Sequence, residues 1–122
     1  MFKTILQGLV ENTPGAKSAI LMGCDGIAVD QVHNVSDADV DDNCQTVVVE
    51  FAAIVKEVMH TAAMLSVGNL EEITVKCEQM VVILTMLTDE YFVALLLERD
   101  GNAAKGRYLL KRDAHLLRTA LD

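Results

Sequence analysis

The sequence predicts an α/β (α+β) fold of order α-β-β-α-β-β-β-α, in which a five-stranded antiparallel sheet carries helices on both faces. Apolar residues recur at helical spacing in three segments, five shorter segments are continuously apolar or alternate with polar residues, and turn signals join the latter into hairpins. The chain has 122 residues, 52% of them hydrophobic, which suits one domain spanning 1–122 and is too apolar for intrinsic disorder. Its formal net charge of −8 opposes general binding to nucleic acid, and with no Trp, 3 Phe and 2 Tyr it offers few platforms for stacking bases.

Phe2, Ile5, Leu6, Leu9 and Val10 follow the spacing of an amphipathic helix, which Thr13-Pro14-Gly15 ends because proline cannot continue the hydrogen-bond ladder. Ala19-Ile20-Leu21-Met22 and Ile27-Ala28-Val29 flank Gly23-Cys24-Asp25-Gly26, and Asp-Gly between two apolar runs marks a hairpin. Val32 to Asn43 is polar and acidic. A long helix then starts near Asp41 or Asp42, either of which suits its N-cap. Its core stripe is expected at Phe51, Ile54, Val55, Val58, Ala62 and Leu65, with Gly68-Asn69 as the stop. Ile73, Val75 and Cys77 alternate with Thr74, Lys76 and Glu78, as in a strand with one solvated face. Met80–Leu87 and Tyr91–Leu97 make a buried hairpin, and Arg99-Asp100-Gly101-Asn102 a polar turn. A last helix carries Leu110, Ala114, Leu117 and Leu121 on one stripe, with Leu109 and Leu116 beside it.

Met80 to Leu97 does not read as a membrane span, because Asp89 and Glu90 at its middle would cost about 5–7 kcal/mol at the bilayer centre. The opening MFKTILQGLV has neither a long apolar region nor a small-residue cleavage site, so a secretory signal is not expected. Cys24, Cys44 and Cys77 lack paired spacing, which points to a reduced, cytoplasmic protein.

Side-chain chemistry has few candidates. Asp37-Ala38-Asp39-Val40-Asp41 resembles the start of a calcium loop, but the positions needing Gly and a bidentate Glu are Asp42 and Val48, so a solvated acidic loop is the simpler reading. His33, His60 and His115 pair with no cysteine at zinc spacing. Cys24 reads as a small turn residue rather than a nucleophile, since no base is placed beside it. Gly23-Cys24-Asp25-Gly26 precedes a strand and lacks the Lys-Ser/Thr of a phosphate loop. No catalytic residue, cofactor or metal is expected.

The long helix is more informative. Opposite its core stripe, where charge would suit water, lie Val49, Ala53, His60 and Met64, with Lys56 between them and Glu50 and Glu57 flanking. They are either scattered surface apolars, which proteins tolerate, or the second buried side of a helix that pairs with something. The strand at Leu70–Cys77 is a second hint, because a free sheet edge invites pairing with another copy. Six of the ten basic residues (Arg99, Lys105, Arg107, Lys111, Arg112, Arg118) fall after position 98, which suits either a helix C-terminus or a patch for an acidic partner.

Pro14-Gly15-Ala16 before Ala19–Met22, Asp25-Gly26-Ile27-Ala28-Val29, the long helix, Tyr91–Leu97 with Asp100-Gly101-Asn102, and Lys105-Gly106-Arg107-Tyr108-Leu109-Leu110 together resemble a roadblock (dynein light chain roadblock) domain of the MglB-type branch, over about residues 1–121. The resemblance implies a dimer joined through the third strand, with Glu72, Ile73, Thr74, Val75 and Lys76 at the joined edge and the two long helices side by side. It further implies a platform of Val49, Ala53, Lys56, Glu57, His60 and Met64 on which a Ras-like small GTPase docks and has its hydrolysis modulated. No Arg precedes Arg99, in keeping with that branch, which lends no arginine finger. A non-catalytic dimeric scaffold and a small-molecule sensor domain are the alternatives.

Overall fold

The computed structural model describes residues 2–34 and 40–121, with side chains in the second span described from Cys44 onward. The elements are α1 (Phe2–Asn12), β1 (Ala16–Gly23), β2 (Ala28–His33), α2 (Val40–Leu65), β3 (Glu72–Lys76), β4 (Met80–Met86), β5 (Tyr91–Glu98) and α3 (Ala103–Leu121), in the order expected. The sheet runs β2-β1-β5-β4-β3 and every neighbouring pair is antiparallel. Hairpins make the β1–β2, β3–β4 and β4–β5 pairings. The β1–β5 pairing, with Ile20 opposite Ala94, joins the two halves of the chain down the middle of the sheet.

Alternation along each strand divides its side chains between two cores. Leu21, Val81, Ile83, Val93, Leu95 and Leu97 face α1 and α3, where they meet Leu6, Leu9, Leu110 and Leu117. Ile20, Met22, Val82, Leu84, Phe92, Ala94 and Leu96 face α2, which supplies Cys44, Val48, Ala52 and Val55. With both faces covered, β5 has to be apolar at every position from Phe92 to Leu97, and all six are fully buried. Each of its large side chains contributes about 1.5–3 kcal/mol by leaving water.

Two turns depend on glycine. In the β1–β2 turn Gly26 has φ 87°, the Gly23 N–H donates to the Ile27 carbonyl (2.9 Å), and Asp25 Oδ1 accepts from the Ile27 N–H (3.1 Å). Gly15, at φ 84°, lies against Gly101: a Cβ at Gly15 would fall 2.5 Å from Gly101 Cα. The Glu98 N–H donates to the Gly15 carbonyl (2.8 Å) and the Asn102 N–H to that of Pro14 (2.9 Å), so the entry to β1 and the exit from β5 are tied together.

Several expectations need correction. α2 is already helical at Val40, which puts Asp41 and Asp42 inside its first turn rather than at the cap. The acidic stretch at 35–39, including most of the calcium-like run, lies outside the described residues. The buried stripe of α2 is Cys44, Val48, Ala52 and Val55, while Ile54 is 47% and Leu65 67% exposed. The helix stops before Gly68, at Ser66, which adopts a left-handed φ of 56°. β2 continues through the polar residues to His33, because an edge strand buries them only in part, and Ile27 stands 67% exposed in the turn. β3 ends at Lys76, leaving Cys77 exposed in the β3–β4 turn. Leu116 is 52% exposed.

Candidate interaction surface

The placement of α2 follows from two contacts. Gln31 Nε2 on β2 donates to Gln45 Oε1 (3.1 Å), and Val49 Cγ1 lies 3.8 Å from the point a Cβ on Gly26 would occupy. The side of α2 carrying Gln45 and Val49 is therefore turned to the β2 edge. At 100° per residue, Ile54, Val58 and Leu65 fall roughly opposite, on the flank turned to the β3 side of the sheet. That flank is apolar and underused: Val58 is half-buried and Ile54 and Leu65 are exposed.

The six expected platform residues, Val49, Ala53, Lys56, Glu57, His60 and Met64, are all exposed. They run along α2 for about 22 Å. Met64 is 72% exposed, and Leu65 and Val67, at 67% and 72%, extend the apolar surface past the end of the helix. Leu65 and Val67 were not singled out for an interface, nor was Ile54. The signal for Ile54 and Leu65 was present in Cys44 and Ala52, small residues in phase with Val48 and Val55, which mark the side lying closest to the sheet.

Among the described residues, β3 is a sheet edge with β4 as its one neighbour. The Cys77 N–H donates to the Met80 carbonyl (2.9 Å) and the Met86 N–H to that of Glu71 (2.9 Å). Hydrogen-bonded and non-bonded pairs alternate between these ends. Ile73 and Val75 therefore bond toward β4, whereas Glu72, Thr74 and Lys76 direct their N–H and C=O groups outward. The side chains of Ile73 and Val75 are half-buried against the core under α2; those of Glu72, Thr74 and Lys76 are exposed on the other face.

Among the described residues, no group of three or more His, Cys, Asp or Glu side chains is placed to hold a metal ion. Cys24 is buried, with Sγ 3.8 Å from the Asp89 carbonyl; burial pushes its thiol pKa up, while the charge of Lys56 pulls the other way. No described helix is long and apolar enough to cross a membrane.

A five-stranded sheet between α2 and the α1–α3 pair, ending in an open β3 edge beside an exposed helix face, defines a roadblock-like α+β interaction module. The structure is similar to that of MglC from Myxococcus xanthus, 33% identical over 98% of both chains with a TM-score of 0.72. It is also similar to a Roadblock/LC7 domain from Streptomyces avermitilis (18% identity, 97% of this chain and 95% of that one, TM-score 0.81) and to an MglB in a tetrameric arrangement (17%, 96% and 85%, TM-score 0.84). No family model and no curated protein matches the sequence. The chain belongs to the roadblock domain family, of the MglB and MglC type. It is a roadblock-type regulator or adaptor.

Proposed function

We propose that this chain is a cytoplasmic homodimeric regulator, a single roadblock unit over 1–122, that binds a Ras-like small GTPase and modulates its GTP hydrolysis. The observation that carries this reading is the exposed apolar flank of α2, Ile54 and Leu65, on the same side of the sheet as the open edge of β3. A second copy paired across that edge would take up the outward groups of Glu72, Thr74 and Lys76 and bring the two α2 helices together over Ile54, Val58 and Leu65. Each Ile or Leu covered in this way contributes about 1.5–3 kcal/mol. The tetrameric arrangement in an MglB structure supports self-association. The paired helices would then present Val49, Ala53, Lys56, Glu57, His60 and Met64 twice over, an exposed surface with a Lys and a Glu at its middle and apolar residues at both ends.

Lys56 is the only cation in α2, so this face has no guanidinium to offer a phosphoryl-transfer transition state. An effect on hydrolysis would come from repositioning groups of the GTPase itself. The test is GTP turnover by a Ras-like small GTPase that this chain captures, measured with and without the protein. Turnover is expected to rise with the wild-type chain and to return to the unassisted rate with Met64→Glu. Binding with unchanged turnover would instead make the chain a scaffold.

A further inference from the structure

The open strand β3 carries a charge pattern that is complementary to itself. Its outward residues Glu72, Thr74 and Lys76 are in turn negative, neutral and positive, all exposed on the α3 side of the sheet. Arg107 of α3 fixes the first of them: its Nε (3.2 Å) and Nη2 (2.9 Å) both meet Glu72 Oε2, so Oε1 has no partner among the described residues. Lys76 likewise forms no ion pair among the described residues. The unused carboxylate oxygen and the unused ammonium sit at opposite ends of one strand, about 13 Å apart along it, too far to meet within one chain.

The other edge of the sheet, β2, is blunted. The Asn34 N–H donates to the Lys17 carbonyl (2.8 Å), so by alternation Gln31 turns its N–H away from β1, and Asp30 Oδ1 accepts it (2.9 Å). The register with β1 also slips between Leu21 and Met22, which bends that edge. A head-to-tail series of copies, β3 onto β2, therefore lacks its second surface. β3 against β3 closes about a two-fold axis.

We propose that a second copy of this chain pairs with β3 antiparallel in one register, Thr74 opposite the partner copy's Thr74, and that two ion pairs between Glu72 of each copy and Lys76 of the other select it. The register presupposes the β3 self-pairing proposed above. Outward residues meet only outward residues, so competing registers slide by two positions. One slide sets Glu72 or Lys76 against Thr74 and carries the other charge past the end of the strand. Two slides set Glu72 against Glu72 or Lys76 against Lys76, as does a parallel copy in step. With Thr74 on Thr74, every outward residue is paired, both charges are matched, and Ile73 meets Val75 on the α2 side. Glu72 then joins Arg107 through Oε2 and the partner copy's Lys76 through Oε1.

The test couples carboxylates to amines with a zero-length carbodiimide, on a mixture of isotope-labelled and unlabelled full-length protein. Mass spectrometry is expected to find an amide between Glu72 of one copy and Lys76 of the other. In sedimentation at low salt, Lys76→Glu and Glu72→Lys should each weaken self-association about tenfold and Arg107→Ala about threefold. Lys111→Glu, on α3 but off the edge, should change nothing. An equal mixture of the Lys76→Glu and Glu72→Lys proteins should associate about tenfold more tightly than either alone, because each end again sets Glu against Lys. Circular dichroism checks that the variants are folded, and the coupling on unaltered protein decides the register without them. A dimer coupled through other residues, or a mixture no tighter than its components, overturns the register while self-pairing stands. A wild-type chain that stays monomeric overturns both.

Discussion

Gly15 and Gly101 meet with no room for a side chain between them, and this contact gives two short motifs their physical meaning. Pro14-Gly15 and Asp100-Gly101-Asn102 read as turns from local composition alone. That the two turns press on each other follows only from the β1–β5 pairing, which no local pattern reveals. Gly15→Ala would combine the strain of a positive φ with a clash against backbone that cannot move aside, and is expected to cost about 2–4 kcal/mol in urea denaturation. Gly68 is the matched control: its φ is 99° but nothing lies within 4 Å of its added Cβ, so Gly68→Ala should cost about 1 kcal/mol, the strain alone. Equal losses at the two positions would show that close approach contributes nothing.

Order and type of the elements were legible from the sequence, because helical spacing and hairpin turns are local signals. The phase of α2 was not. Val47, Val48, Val49, Phe51, Ile54, Val55 and Val58 surround much of its circumference, so hydrophobicity alone does not choose the side that meets the sheet. Residue size does, since Cys44 and Ala52 let the helix sit close, and this leaves the bulkier Ile54 and Leu65 outside. The six platform residues implied by the resemblance all stand exposed along the same helix. At β3 the register makes a sharper prediction than the sequence allowed. Thr74→Pro removes an outward N–H and spares the ladder to β4, so it should give a folded monomer by light scattering and circular dichroism. Val75→Pro removes an N–H bonded toward β4, and is expected to lower the melting temperature as well. A Thr74→Pro protein that stays dimeric would place the interface on another surface.

Across the whole molecule, α2 and α3 divide the charge unevenly. The outer side of α2 carries Glu50 and Glu57 with one lysine, while α3 carries the basic residues on the opposite face of the sheet. The clustering of Lys and Arg late in the chain was visible in the sequence, but its restriction to one surface depends on which side of α3 the leucines bury. The central place of β1 beside β5 has a further consequence, this time for how the chain comes to fold. Long-range pairings are slow to form because the loop between them must be closed first. During synthesis α1, β1, β2 and α2 all emerge before β5, and until it arrives Ile20, Leu21 and Met22 have an open edge on one side and neither core complete. A fragment of residues 1–68 is therefore expected to show no cooperative thermal transition and to bind hydrophobic dye; a sharp melt would refute this. The nascent first half of the protein thus exposes apolar surface and calls for chaperone shelter until its last strand is delivered.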